Sequence, residues 1–351
     1  MARILSGAIL ACALWAVAAA PALADVSFEG KTIKVIVASN AGGGTDLSGR
    51  LINRFMQKYL PGNPRFVYQY MGAGGGKIKA ANYLANRIKP DGMTFMQTDS
   101  SPIQPHVLRR KVIKYDPRKF IAIGGIHRGG SVLFIRKDAH KRLTDKKAAK
   151  VNVGGISGAR AWQAMNVWGA EFLGWNLKWI VGYPGTGALV KAISQGEIDV
   201  LGTQNAYIIN ELKEAGVINL IAQEGVRNVD GYSPRSSFKD VPIFPELMAE
   251  KKIGKLATAG YESWMGPSTI DKWQALPPKT PAEYVKVYRA AFQKAVHDPE
   301  FLKLARKQFS LDLTSVTGES LNKRIPQIVD VPKEVLQYAS KLRKKYDVPE
   351  R

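Results

Sequence analysis

The apolar run from Ile33 to Ala38 passes directly into Ser39-Asn40-Ala41-Gly42-Gly43-Gly44-Thr45-Asp46-Leu47-Ser48-Gly49-Arg50, and no other stretch narrows the possible folds as much. A short apolar run bounded by glycines reads as a buried strand. Past the glycines, Leu47, Leu51, Phe55, Met56, Tyr59 and Leu60 recur at helical spacing, with Thr45 placed as N-cap and Asp46 favourable in the first turn. A strand, a glycine turn and a helix opening at Thr45 or Asp46 leave backbone N–H groups pointing out of the turn. That is either half of an anion-binding cleft or only a tight connection.

The same arrangement recurs down the chain. Arg65 to Tyr70 is strand-like and runs into Gly72-Ala73-Gly74-Gly75-Gly76, then into a helix with Ile78, Ala81, Leu84, Ala85 and Ile88 on one face. Met93 to Thr98 makes a third strand, ending in Asp99-Ser100-Ser101-Pro102. Two strands, Ile121 to Gly125 and Ser131 to Arg136, are joined by His127-Arg128-Gly129-Gly130, where the chain can cross into a second domain. Lys150 to Val153 then leads into Gly154-Gly155-Ile156-Ser157-Gly158-Ala159-Arg160 and a helix carrying Trp162, Met165 and Phe172, which supplies an opposite wall. Later strands end at Gly182-Tyr183-Pro184-Gly185-Thr186-Gly187 and at Thr203-Gln204-Asn205. Tyr261 to Met265 reads as the strand returning to the first domain, and the remainder is mostly helical, over Ala282 to His297, Pro299 to Gln308 and Val331 to Lys345. Alternating strands and helices predict an α/β fold with a largely parallel sheet, in which ligands sit outside the carboxyl ends of the strands.

Arg3, the apolar stretch Ile4 to Ala20 and the small-x-small triplet Ala22-Leu23-Ala24 read as a secretory signal cleaved after Ala24, which places the mature protein in the periplasm. A membrane anchor fits less well, because Pro21 and small residues follow the apolar run. The single cysteine, Cys12, lies inside this signal, so disulfides, thiolate metal sites and cysteine nucleophiles are excluded together from the mature chain. Lysine and arginine number 51 against 29 acidic residues, a formal net charge of +22 that attracts anions over long range. These basic residues are scattered, without an aromatic ladder or a recognition helix, so nucleic acid is not expected as a partner.

Turnover chemistry is not assembled anywhere in the sequence. Met71 and Ile78 stand where a phosphate loop around Gly76-Lys77 needs glycine and a hydroxyl residue. Gly155-Ile156-Ser157-Gly158-Ala159 resembles a nucleophile elbow but ends in alanine, and His297 sits on a helix just before Asp298-Pro299. The four histidines, His106, His127, His140 and His297, have no metal-ligand spacing. No catalytic residue, metal or cofactor is expected, and binding is.

Taken in order, the export signal, K-T-I-K-V-I-V, A-G-G-G-T-D-L-S-G-R, G-A-G-G-G-K-I-K-A-A, K-P-D-G-M-T-F, V-G-Y-P-G-T-G-A-L-V-K-A-I-S-Q-G-E-I-D-V and D-V-P-I-F-P-E-L resemble the extracytoplasmic solute-binding proteins of tripartite tricarboxylate transporters, the Bug/TctC-type receptors. The resemblance covers essentially the whole mature chain. It implies a type II periplasmic-binding-protein fold, with domain 1 over 25–129 plus 258–351, domain 2 over 130–257, and a hinged ligand cleft between them. It further implies a monomer that binds an organic carboxylate and hands it to membrane carrier subunits. Ligand-binding positions carried over on this resemblance are Gly43, Gly44, Thr45 and Asp46 on one side and Ser157, Gly158 and Ala159 on the other. Tyr183, Thr186, Ser100, Ser101, Thr203 and Asn205 would line the same cleft. Two features depart from the family. Ser39-Asn40 replaces an aromatic-rich segment, and Arg160 stands where a small or polar residue is expected. Arg160 is either a clamp for a second carboxylate or a solvent-facing residue of the first helical turn. Asp46 either accepts an ammonium group or caps its helix, so amino-acid, dicarboxylate and aromatic acid ligands stay open. A ligand-presenting subunit for a sensor is the second reading and a secreted hydrolase the third.

Overall fold

The computed structural model describes residues 26–72, 76–228 and 231–349. The expected signal over 1–24 with its cleavage point, and Ala73, Gly74 and Gly75 of the second glycine turn, lie outside these residues.

In the first lobe β1 (Thr32–Val37), β2 (Arg65–Tyr70) and β3 (Thr94–Asp99) run parallel with β1 in the middle, connected by α1 (Gly44–Tyr59) and α2 (Gly76–Arg87). A single helical turn, α3 (Pro105–Leu108), precedes β4 (Ile121–His127). The chain then crosses into a second sheet built from β5 (Val132–Arg136), β6 (Val151–Gly155), β7 (Leu177–Val181), β8 (Val200–Thr203) and β9 (Ile218–Gln223). Between these strands lie α4 (Gln163–Phe172), α5 (Thr186–Gln195) and α6 (Ala206–Glu214). A small hairpin, β10 (Val226–Asn228) and β11 (Gly231–Ser233), is followed by α7 (Phe244–Glu250) and α8 (Lys255–Met265). The chain returns to the first sheet as β12 (Lys272–Leu276), continues through α9 (Ala282–His297), α10 (Pro299–Gln308), β13 (Thr314–Thr317) and α11 (Gly318–Val329), and closes with α12 (Lys333–Lys345).

The strand orders are β13-β4-β12-β3-β1-β2 and β7-β6-β8-β5-β9. Both sheets are mixed rather than largely parallel. β12 and β5 enter their sheets after a crossing from the other lobe, and each pairs antiparallel with both of its neighbours. Period-two alternation along β1 sends Ile33, Val35 and Val37 to one core, with Phe55 and Met56 of α1 and Phe292 of α9. Ile36 and Ala38 face the other core, with Leu84 of α2, Trp273 and Ile325 of α11. Covering both faces buries the parallel strands as expected for α/β sheets.

Residues 261–265 form the last turns of α8 instead of the expected returning strand. Ala257, Tyr261, Trp264 and Met265 are buried at helical spacing, the last three in the core of the second lobe. Fully buried Trp168 of α4 donates from Nε1 to the Ala257 carbonyl at 3.0 Å and packs edge-on against Tyr261 and Trp264. The strand that does return, β12, has every residue buried, and two of the five are polar. Lys272 donates to Asp271 and Gln274 Nε2 donates to Asn53 Oδ1, so the two polar residues are held by partners distant in sequence or outside the strand, and alternation did not reveal it. α12 also packs on the second core, through Ala339 and Leu342, so residues on both sides of the boundary expected at 257/258 contribute to that lobe.

Candidate functional site

The ends of β3 and β8 and the openings of α1, α5 and α6 converge on a cleft of about 260 Å³ between the two sheets. At the first turn Gly42 takes φ +74°, a left-handed conformation that glycine adopts without strain. Gly43 is the N-cap of α1 and has no side chain to cover the N–H groups of the first turn. Gly42, Gly44 and Thr45 line the cleft. Leu47, the first apolar position of the helix stripe, is 39% exposed and faces the same space. Asp46 does not line it. One of its carboxylate oxygens accepts from the Gly42 N–H at 2.8 Å, and the other accepts from Arg50 Nε and the Tyr70 hydroxyl, both at 3.0 Å. Its carboxylate therefore shapes the turn from behind.

Across the cleft the second glycine turn is used differently. Ser157 Oγ accepts the Ala159 N–H at 3.1 Å, and a Cβ on Gly158 would stand 2.1 Å from the Pro349 carbonyl oxygen. The helix expected directly after the turn opens only at Gln163. Ser157, Gly158 and Ala159 thus lie outside the lining of the cleft, which this wall contributes through Ile156, Arg160, Ala161 and Trp162. Thr186 lies on the wall at the first residue of α5, whose N-cap Gly185 again offers no side-chain cap. α6, by contrast, is capped by Asn205 Oδ1, which accepts the Tyr207 N–H at 3.0 Å. Ser100, Thr203 and Asn205 line the cleft. Ser101 and Tyr183 do not, and the Tyr183 hydroxyl instead donates to Glu197 at 2.6 Å.

Arg160 lines the cleft and precedes the helix, which opens only at Gln163. It spans the cleft, donating from Nη1 to Asp99 at 3.1 Å, and its side chain is one-quarter exposed. Lys77 of α2 donates to the same Asp99 oxygen. Burial opposes ionisation of Asp99, but Lys77, Arg160 and Lys272 outweigh it and hold the carboxyl well below the usual range. Lys77 is pushed down to about 8, first by burial and then by the charge of Arg160.

A second charged cluster went unnoticed in the sequence. Arg128, on the segment linking β4 to β5, donates from Nε and Nη2 to Asp271, the latter at 3.0 Å, and Lys272 Nζ donates to Asp271 at 2.8 Å. All three are buried and all three line the cleft. Burial again disfavours ionised Asp271, and Arg128 and Lys272 reverse the balance. The signal available for Arg128 was its place among glycines in a predicted crossing. Asp271 and Lys272 sat in a stretch with no readable periodicity.

The hinge lies beside this cluster. Glu224 accepts from the Ser131 N–H at 3.0 Å and from the Ser268 hydroxyl, joining both crossing segments. Burial raises its pKa to about 7 against those two hydrogen bonds. Nearby His127 is lowered to about 4, mainly by burial, with Asp271 opposing. Arg235, fully buried, donates to the carbonyls of Gly130 and Gln204 and to Ser310 and Asp312, at 2.7–3.1 Å.

No protein-family model matches the sequence, and no curated protein sequence matches it. Solved structures do. The periplasmic binding protein BugD is 19% identical over 91% of this chain and 99% of its own, with a TM-score of 0.63. MatC from Rhodopseudomonas palustris, solved with bound malate, is 18% identical over 89% of this chain and 98% of its own, with a TM-score of 0.60. A further R. palustris protein, solved with adipate, is 16% identical over 91% and 98%, with a TM-score of 0.65. At these identities the likeness is one of fold. The expected two-lobed α/β architecture of the periplasmic binding proteins is the one this chain adopts.

Proposed function

We propose that this chain is an extracytoplasmic solute receptor that captures an organic carboxylate in the cleft and delivers it to the membrane carrier of a tripartite tricarboxylate-type transporter. The observation that carries this reading is the cleft wall itself. Three cationic side chains, Arg128, Arg160 and Lys272, meet two carboxylates, Asp99 and Asp271, beside two helix openings whose first-turn N–H groups no side chain caps. Fixed N–H donors at helix openings and excess positive charge favour an anion. Gly44, Thr45, Ser100, Arg160, Thr186, Thr203 and Asn205 are the proposed contacts, with Gly43 and Asp46 fixing the shape of the first turn.

A receptor fits better than an enzyme. The two wall carboxylates are held in ion pairs, and among the described residues no histidine or cysteine lines the cleft to move a proton or attack a substrate. The malate and adipate named for the two R. palustris structures make small aliphatic acids the first ligands to try. Export to the periplasm through the segment ending at Ala24, and a monomeric state, complete the proposal.

The test is thermal: refolded, ligand-free protein is melted with a panel of mono-, di- and tricarboxylates. A ligand that binds only the folded state raises Tm with its concentration. Unchanged melting across the whole panel would remove the transport reading.

A further inference from the structure

The charged groups at the cleft fall into two clusters of the same composition. Lys77 and Arg160 flank Asp99, and Arg128 and Lys272 flank Asp271. The clusters are neighbours, because Lys272 stands opposite Asp99 in the register of β3 with β12. Each holds two cations against one carboxylate, so each retains one uncompensated positive charge. In the second cluster all three side chains are buried. Charge kept out of water without full compensation is costly, and the structure lowers the pKa of Lys272 accordingly, through burial.

Donor geometry gives a second, independent indication. Arg128 spends Nε and Nη2 on Asp271. Its Nη1 is left on the cleft side, near enough to the first turn of α1 that a Cβ on Gly44 would lie 4.0 Å away. The guanidinium is thereby fixed on one edge by a carboxylate while Nη1 stands beside Gly44, the first residue of α1. That is the arrangement a planar acid group requires.

We infer that Arg128 and Lys272, oriented by Asp271, form an anion subsite at the hinge side of the cleft that makes the receptor select acids with two negative groups over acids with one. This deepens the functional reading above and rests on it. One acid group occupies the hinge subsite facing α1, and the second lies toward Arg160 and the end of β3. Arg128 and Lys272 are the discriminating contacts, and Asp271 is a positioning residue.

The experiment compares adipate with hexanoate, equal in chain length and different by one carboxylate, by calorimetry on the refolded full-length mature protein. Wild type binds adipate about tenfold or more tightly than hexanoate, the order expected of one additional charge-assisted contact. The double variant Arg128→Gln with Asp271→Asn removes the cluster at constant net charge and brings the ratio of the two affinities close to one. Lys272→Met keeps the Arg128–Asp271 pair and lowers the ratio partway, so it carries the test if the double variant does not fold. Equal affinities in wild type, or a ratio unchanged in the variants that fold, would overturn the subsite while leaving carboxylate capture intact. Failure of wild type to bind any carboxylate would remove both readings together.

Discussion

Two turns face each other across the cleft, each a strand end followed by glycines and a small hydroxyl residue, and the molecule puts them to opposite uses. At Gly42 to Asp46 the Asp46 carboxylate turns away from the cleft and braces the turn from behind, through Gly42, Arg50 and Tyr70, leaving Gly42, Gly44 and Thr45 at the cleft. At Gly154 to Arg160 the backbone is the part consumed, with the Ala159 N–H taken by Ser157 and Gly158 wedged beneath Pro349, so a side chain, Arg160, reaches the cleft. A glycine turn is therefore no binding motif by itself. What packs behind it decides whether its backbone or its neighbour's side chain is presented.

The contrast can be broken at Gly158 first. Gly158→Ala drives a Cβ into the Pro349 carbonyl, and about 2–3 kcal/mol of stability is lost, read as a lower Tm, with ligand affinity of the folded fraction retained. A wild-type Tm with abolished binding would instead make Gly158 a ligand contact and erase the difference between the turns. Asp46→Asn sharpens the other side. It weakens the brace on Gly42, Arg50 and Tyr70 and costs about 1–2 kcal/mol by chemical denaturation. Gly44→Ala meets nothing closer than Arg128, so stability changes by under about 0.5 kcal/mol while carboxylate affinity drops. Arg160→Gln releases the bridge to Asp99, with a stability change below about 1 kcal/mol and weaker binding.

The smallest effect in the wild type is its pH response between about 4.5 and 6.5, because two hinge groups oppose each other. Glu224 has its folded pKa raised from 4.5 to about 7, so its contribution is complete below 4.5 and declines as pH rises toward 7. His127 is lowered from 6.5 to about 4, so its contribution is complete above 6.5 and declines as pH falls toward 4. Glu224→Gln removes the first, and its Tm then rises with pH over that interval more steeply than that of wild type. Parallel Tm–pH curves for the two proteins would refute the opposition.

Much of the first lobe could be read in advance, since glycine turns follow β1 and β2 and the helices after them carry apolar residues at helical spacing. α9 and α10 were legible for the same reason, amphipathic spacing with Asp298-Pro299 between them. What escaped was whatever depends on distant partners. β12 looks too polar for a central strand until Asn53 and Asp271 are in place beside Gln274 and Lys272. Arg160 could be assigned only once Asp99, sixty-one positions away, was seen to receive it. The jamming of Gly158 by Pro349 lies still further outside any local window.

The positions of β12 and α12 also govern how such a chain comes together in time. β4 lacks both of its sheet neighbours until residues 272–317 exist, and the aromatic cluster around Trp168 lacks Tyr338 until α12 is made. Neither lobe can mature on the early half of the chain alone, and pairings of such long sequence separation form slowly. Removing residues beyond α8 therefore takes away two strands of the first sheet and an aromatic neighbour of Trp168 in the second lobe at once.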